Sequence, residues 1–404
     1  MIMDPYAITA NVGGQANVEK LKAVQRDFRT DTITIPSDAM LQVGMQATRG
    51  DDVYNECATT AALEARVAKL CGKEAGLFVV SGTMSNQLGL RAWLTQPPHS
   101  VLLDFRSHVF QYEAGGLAFH SQASPLPLKP WNGHHLTWDD DIADDLILGD
   151  NIHCASTKII CLENTLNGTI FPQDEIVKIS KKAKEEGLIM HCDGARLWNV
   201  AAEKGATMET LPEVMKELCD PFDSVSVCLS KGLGAPIGSV LVGPAALIKK
   251  AIHFRKLFGG GIRQSGAIAA AADFALTHNF ERLRDSHKLA KRLSAGLKEL
   301  GVQILYEAET CMVFVNFLPL NLPMNAVIAR AAALPNPIAF NGARLVCHYQ
   351  LDPQAVEDFI ELVRVMKDEE VSKGWVPEIP RVNGATEITR LRGRDKNYNT
   401  AIKH

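Results

Sequence analysis

A lysine that closes an apolar strand is the residue of this chain whose setting most invites chemistry. Ser226-Val227-Cys228-Leu229-Ser230-Lys231-Gly232-Leu233-Gly234 alternates as a strand and then breaks into a glycine-bracketed turn. Gly232 and Gly234 let the backbone pass close to a ligand, and a lysine partly withdrawn from water loses pKa and becomes a nucleophilic amine. Such an amine forms a Schiff base with an aldehyde cofactor. The plainer alternative is a surface lysine in a strand-to-loop turn. Gly187-Leu188-Ile189-Met190-His191-Cys192-Asp193-Gly194-Ala195-Arg196 shifts the balance. This apolar run, entered from the charged segment 175–186, reads as a buried parallel strand ending in Asp193, and ligands of open α/β sheets bind at such strand ends. An aspartate beside a pyridinium nitrogen keeps that nitrogen protonated and so keeps pyridoxal phosphate an electron sink. The competing role for Asp193 is a helix N-cap.

The elements that must position these residues follow from periodicity. Strands at 75–80, 100–103, 158–162, 188–192, 225–229 and 238–243 alternate with helices, which spells an α/β fold with a mostly parallel sheet covered on both faces. Ser81-Gly82-Thr83-Met84-Ser85-Asn86 turns the first strand into a helix expected over 87–94. It places N–H groups and hydroxyls at a positive helix end, suited to a phosphate, although a merely capped helix has the same composition. His108 follows the second strand, where it either stacks on an aromatic cofactor or satisfies a buried hydrogen bond. His153 lies just upstream of strand 158–162. A proline-rich loop is expected over 125–138, and a basic, glycine-rich loop over 253–266 offers a second anion site. After a charged helix at 281–300 come short strands near 303–306, 311–317 and 344–348 and a helix at 353–366, a modest α+β unit. Arg344 enters on an otherwise apolar strand and is expected to hold an anion. The chain divides into an N-terminal segment 1–45, a large domain 46–278, a small C-terminal domain 279–370 and a tail 371–404.

Composition narrows the class. Of 404 residues, 46% are hydrophobic and 22% charged, the make-up of a globular enzyme. The net charge of −4 argues against nucleic-acid or membrane-surface partners. Without a membrane-length apolar run or a leader pattern in residues 1–20, the expected location is cytoplasmic. The nine cysteines form no CxxC pair and several sit in strand patterns (Cys161, Cys192, Cys228, Cys347), so they read as reduced core residues and no metal site is expected.

From Asp27 to Asp368 the sequence resembles the threonine aldolase family, within the aspartate-aminotransferase-like (fold type I) pyridoxal phosphate enzymes. The resemblance is carried by Arg29-Thr30-Asp31-Thr32-Ile33-Thr34, Gly50-Asp51-Asp52-Val53-Tyr54, Gly72-Lys73-Glu74-Ala75, Ser81-Gly82-Thr83, Tyr112-Glu113-Ala114-Gly115-Gly116, Leu162-Glu163-Asn164-Thr165, Asp193-Gly194-Ala195-Arg196, Ser230-Lys231-Gly232-Leu233-Gly234 and Gly259-Gly260-Gly261-Ile262-Arg263-Gln264-Ser265-Gly266. It implies Lys231 as the imine lysine, Asp193 at the pyridine nitrogen and His108 stacked on the ring. It further implies Gly82, Thr83 and Arg263 at the phosphate, and Arg196 and Arg344 near the substrate carboxylate, with Thr30 where a serine is common. His153 matches a histidine that approaches the β-hydroxyl, and Tyr54 a tyrosine at the subunit boundary of a homodimer or homotetramer. The implied reaction is reversible cleavage of L-threonine, L-allo-threonine or related β-hydroxy-α-amino acids to glycine and an aldehyde. Alanine racemases of fungal secondary metabolism are the alternative on the same fold.

Overall fold

The structure, a computed structural model, describes residues 4–149 and 151–376. Seven strands form one sheet in the order β1(Ala75–Val79), β7(Ser239–Gly243), β6(Ser224–Cys228), β5(Ile189–Gly194), β4(Thr157–Glu163), β2(His99–Asp104), β3(Ala123–Leu128). Only β7 runs antiparallel to its neighbours. Every residue of β6 and β7 is buried, which is why these strands are apolar or small throughout instead of alternating.

Local chemistry moved several boundaries. Residues expected in a loop at 125–128 belong to β3, paired with β2 alone. Pro125 and Pro127 are tolerated there because an edge strand has one side that needs no ladder donor. The helix expected from Gln87 begins at Gly82, because Ser81 caps it by accepting the Met84 N–H at 3.1 Å. The helix Ala245–Leu257 absorbs the start of the expected glycine-rich loop, which is confined to 258–265 before the helix Gly266–Asn279. The helix from Pro353 runs on to Ser372, so the sequence-based tail contributes its last two residues, and the tail from residue 377 lies outside the described residues.

A second, antiparallel sheet orders β10(Arg344–Val346), β9(Met312–Asn316), β8(Gln303–Tyr306). Its core gathers Phe28, Leu293, Val313, Phe317 and Phe359, separate from the core around Phe78, Trp198 and Leu229 under the large sheet. The helix Leu283–Glu299 joins them, with Leu283 in one core and Leu293 and Leu297 in the other. The N-terminal segment is divided in the same way. Phe28 donates its N–H to the Ala339 carbonyl at 2.7 Å and packs on Phe359, whereas Met40 of the helix Asp38–Gln46 enters the large core. Asp31 is thereby fixed in the crevice between the two units. Among the described residues no helix is long and apolar enough to cross a membrane.

Candidate active site

The C-terminal edge of the large sheet gathers the candidate residues. Asp193 ends β5 level with Glu163 on β4 and Ser226 on β6. Its buried carboxylate accepts the Asn86 Nδ2 hydrogen at Oδ2 (2.8 Å) and the Ala195 N–H at Oδ1 (3.1 Å), which leaves lone pairs directed outward. Asn86 also donates to Glu113 Oε1 at 2.9 Å, and that oxygen meets His108 Nδ1 at 3.0 Å while Gln87 Nε2 holds Glu113 Oε2 at 2.6 Å. Since both Asn86 amide hydrogens go to carboxylates, Asn86 Oδ1 must accept from His191 Nε2 at 3.2 Å. His191 Nδ1 then accepts from the Ser224 hydroxyl at 2.8 Å, whose oxygen takes the Trp93 Nε1 hydrogen. His108 and Asp193 are thus oriented by one buried polar network.

Burial, slightly opposed by Asp193, lowers the His191 pKa from 6.5 to about 4, matching its neutral place in this network. Below its ordinary pKa the unfolded chain takes up a proton that the folded chain refuses. Stability should therefore decline from about pH 6.5 towards pH 4, by about 3 kcal/mol over the full window. His191→Gln keeps a donor for Asn86 and removes the titration, so its urea midpoint should fall less steeply with acid than that of the wild type. Parallel pH profiles would contradict this.

Lys231 follows β6 half-buried, and among the described residues its ammonium makes no hydrogen bond or ion pair. Its charge opposes the burial of two acids, Glu163 and Asp31. The following glycines are needed for packing as well as turning. A side chain on Gly234, at φ 76°, would run into the Tyr349 ring, and one on Gly232 would meet Leu283 at 2.6 Å. The helix Gly82–Trp93 starts against this strand, since a Cβ on Gly82 would lie 2.7 Å from Cys228 Sγ. The Gly82 and Thr83 N–H groups are the first in that helix and have no partner within it. Gly260 of the glycine-rich loop packs against Met84 in the first turn.

Arg196 forks onto Asp31 through Nε and Nη2 at 2.8 and 2.7 Å, a buried bidentate pair. Burial pushes the Asp31 carboxyl up, but Arg196 outweighs it and holds the pKa below the ordinary value. Burial and the nearby Arg196 lower the Arg344 pKa, and Arg344 Nη2 reaches the Arg29 carbonyl at 3.4 Å. Thr30, between Arg29 and Asp31, caps its own turn through the Thr32 N–H. Arg196 and Arg344 thus both lie close to Asp31, whose carboxyl also feels the Lys231 charge.

A family model described as beta-eliminating lyase matches residues 27–318. The low-specificity L-threonine aldolase of Candida albicans is 45% identical over 85% of this chain and 90% of its own length. This chain belongs to the threonine aldolases of the beta-eliminating lyase family. It is also 39% identical to the alanine racemase TOXG of Cochliobolus carbonum, over 83% of this chain and 86% of that protein. A threonine aldolase from Leishmania major shares its fold, with a TM-score of 0.68 at 20% identity over 84% of this chain and 99% of that one.

In this threonine aldolase chain, three residues singled out from sequence stand apart from the cluster. Tyr54 is 71% exposed, on a turn whose Asp51 pairs with the exposed Arg263 at 3.0 Å, so that both side chains lie at the surface. His153 is exposed ahead of β4, at the opposite end of that strand from Glu163 and roughly 20 Å along it. Conversely, Asn86, Glu113, Asp31 and Glu163 join the site without having been singled out as functional. Each lies in a segment that carries the family resemblance or borders one, but nothing in the spacing tells which of its polar residues turns inward.

Proposed function

We propose that the protein is a pyridoxal phosphate-dependent aldolase that reversibly cleaves L-threonine, L-allo-threonine or related β-hydroxy-α-amino acids to glycine and an aldehyde. The carrying observation is the convergence of Lys231, the Asp193 carboxylate, a free helix N-terminus and the Arg196–Arg344 pair at one sheet edge. The site suits this cofactor on its own terms. The Ser226 hydroxyl, level with Asp193, is buried without a partner, and Asp193 retains acceptor capacity towards a ring N–H.

When bound, pyridoxal phosphate supplies the electron sink that stabilises negative charge at Cα. The protein's part is distributed over named atoms. Gly82 and Thr83 N–H groups, with the helix dipole behind them, hold the phosphate, and Arg263 adds positive charge. Asp193 keeps the proton on the ring nitrogen. His108 would stand against the cofactor ring, with its Nδ1 anchored on Glu113. Arg196 and Arg344 bind the substrate carboxylate beside Thr30, and Lys231 Nζ is both the attachment point and a carrier of the Cα proton. His153 accepts the β-hydroxyl proton as Cα–Cβ breaks.

Because His153, Tyr54 and Arg263 lie outside the cluster of their own protomer, we propose that they serve the site of a partner subunit in a homodimer, or in a homotetramer of such dimers. The exposed Ile152, at 93% beside His153, supports a covered face there. His153→Phe should then lower threonine or phenylserine cleavage by roughly 10²–10⁴-fold, while exchange of the alanine α-proton falls much less. Mixing His153→Phe with Lys231→Ala subunits should restore cleavage, since one site of each mixed dimer is complete. Equal losses in both assays, or no restoration, would remove His153 from the reaction. The 39% identity to an alanine racemase supports one rival reading. Fast alanine racemisation without aldehyde release from any β-hydroxy substrate would establish that rival.

A further inference from the structure

Glu163 is a carboxyl of the site to which neither the family resemblance nor the reaction above gives a task. It stands beside Asp193 across β4 and β5, in register, on the edge that carries Lys231. Its Oε2 accepts the His108 backbone N–H at 2.6 Å. Among the described residues it has no cationic partner and no second donor, whereas Asp193 has two donors at 2.8 and 3.1 Å. Two neighbouring carboxyls, Asp193 buried and Glu163 partly so, do not both ionise readily, and the one with fewer donors keeps its proton.

We propose that Glu163 serves the site as a neutral, hydrogen-bond-donating carboxyl, with Oε2 clamping the His108 backbone and Oε1 presenting its proton to an acceptor oxygen of the bound cofactor or substrate. Burial first, and then Asp193, push its pKa well above the ordinary carboxylate value, against the pull of the His108 N–H, Lys231 and Arg196. His108 is thereby held at both ends by acids. Glu113, bonded by three donors, fixes the ring, and Glu163 fixes the main chain.

The proposal rests on the pyridoxal phosphate reading of the same site, so its test includes a measurement independent of turnover. The cofactor-free wild type, grown with isotope-labelled glutamate, should show at about pH 7 an infrared band of a protonated carboxyl that E163Q lacks, distinct from the component of Glu64, whose pKa burial raises to about 7 and which E163Q retains. In the loaded enzyme E163A should lower kcat about 10- to 100-fold, through the orphaned His108 N–H and the lost donor. Glutamine keeps an acceptor for His108 and a donor at the other end, so E163Q should recover all but about three- to tenfold. A missing band, or an E163Q enzyme as impaired as E163A, would overturn the proposal. A band that is present in a protein without aldolase activity would keep the neutral Glu163 and remove only the reaction assigned to the site.

Discussion

Lys231→Ala should reduce aldehyde release from β-hydroxy-α-amino acids to below roughly one part in 10³ of the wild type and leave the fold intact. The side chain is half-buried and makes no ion pair among the described residues, and the two acids its charge favours keep their own partners, Glu163 the His108 N–H and Asp31 the Arg196 fork. The strand before it is held by its ladder to β5 and β7 and by the Trp198 Nε1 bond to the Cys228 carbonyl at 3.0 Å. Far-ultraviolet circular dichroism and urea midpoints should therefore match the wild type. Borohydride treatment of the loaded wild type, followed by peptide mapping, should find the cofactor fixed on Lys231. A label on another lysine, or substantial turnover by the variant, would dismiss the assignment.

Asp193→Ala should lower kcat by roughly 10²–10⁴-fold, because it removes the carboxylate proposed to keep the pyridine nitrogen protonated. This variant should also cost stability, unlike Lys231→Ala. Asn86 Nδ2 and the Ala195 N–H lose their shared acceptor in a buried setting, a change of about 1–3 kcal/mol in the urea-derived unfolding free energy. Glu163 should acidify in the same variant, since the neighbouring charge that raises its pKa is gone. Retained turnover would place the ring nitrogen elsewhere, and unchanged stability would mean that water replaces the carboxylate.

Asp193 and Lys231 were legible in the sequence because each ends an apolar run, and in a parallel sheet such ends gather on one edge. The helix N-terminus at Gly82 was legible as a turn but was placed one turn late, since the capping hydroxyl of Ser81 acts over a span too short for periodicity to register. The edge strand β3 was read as a loop because its two prolines conceal a pairing that only a neighbour on one side makes possible.

The order of apolar runs, glycines and charged helices in the sequence determined by itself that this is an α/β chain with its chemistry at strand ends, and the motif set was enough to place it with the threonine aldolases. Only the tertiary structure decided which polar residues turn inward. Asp31 meets Arg196 across 165 positions, and Asn86 meets Asp193 across 107. Such pairings arise from the closing of the crevice between two cores, and no local period encodes them. The same closure sets the charge of each acid, because donors and neighbouring charges, not residue type, decide whether a buried carboxyl keeps its proton.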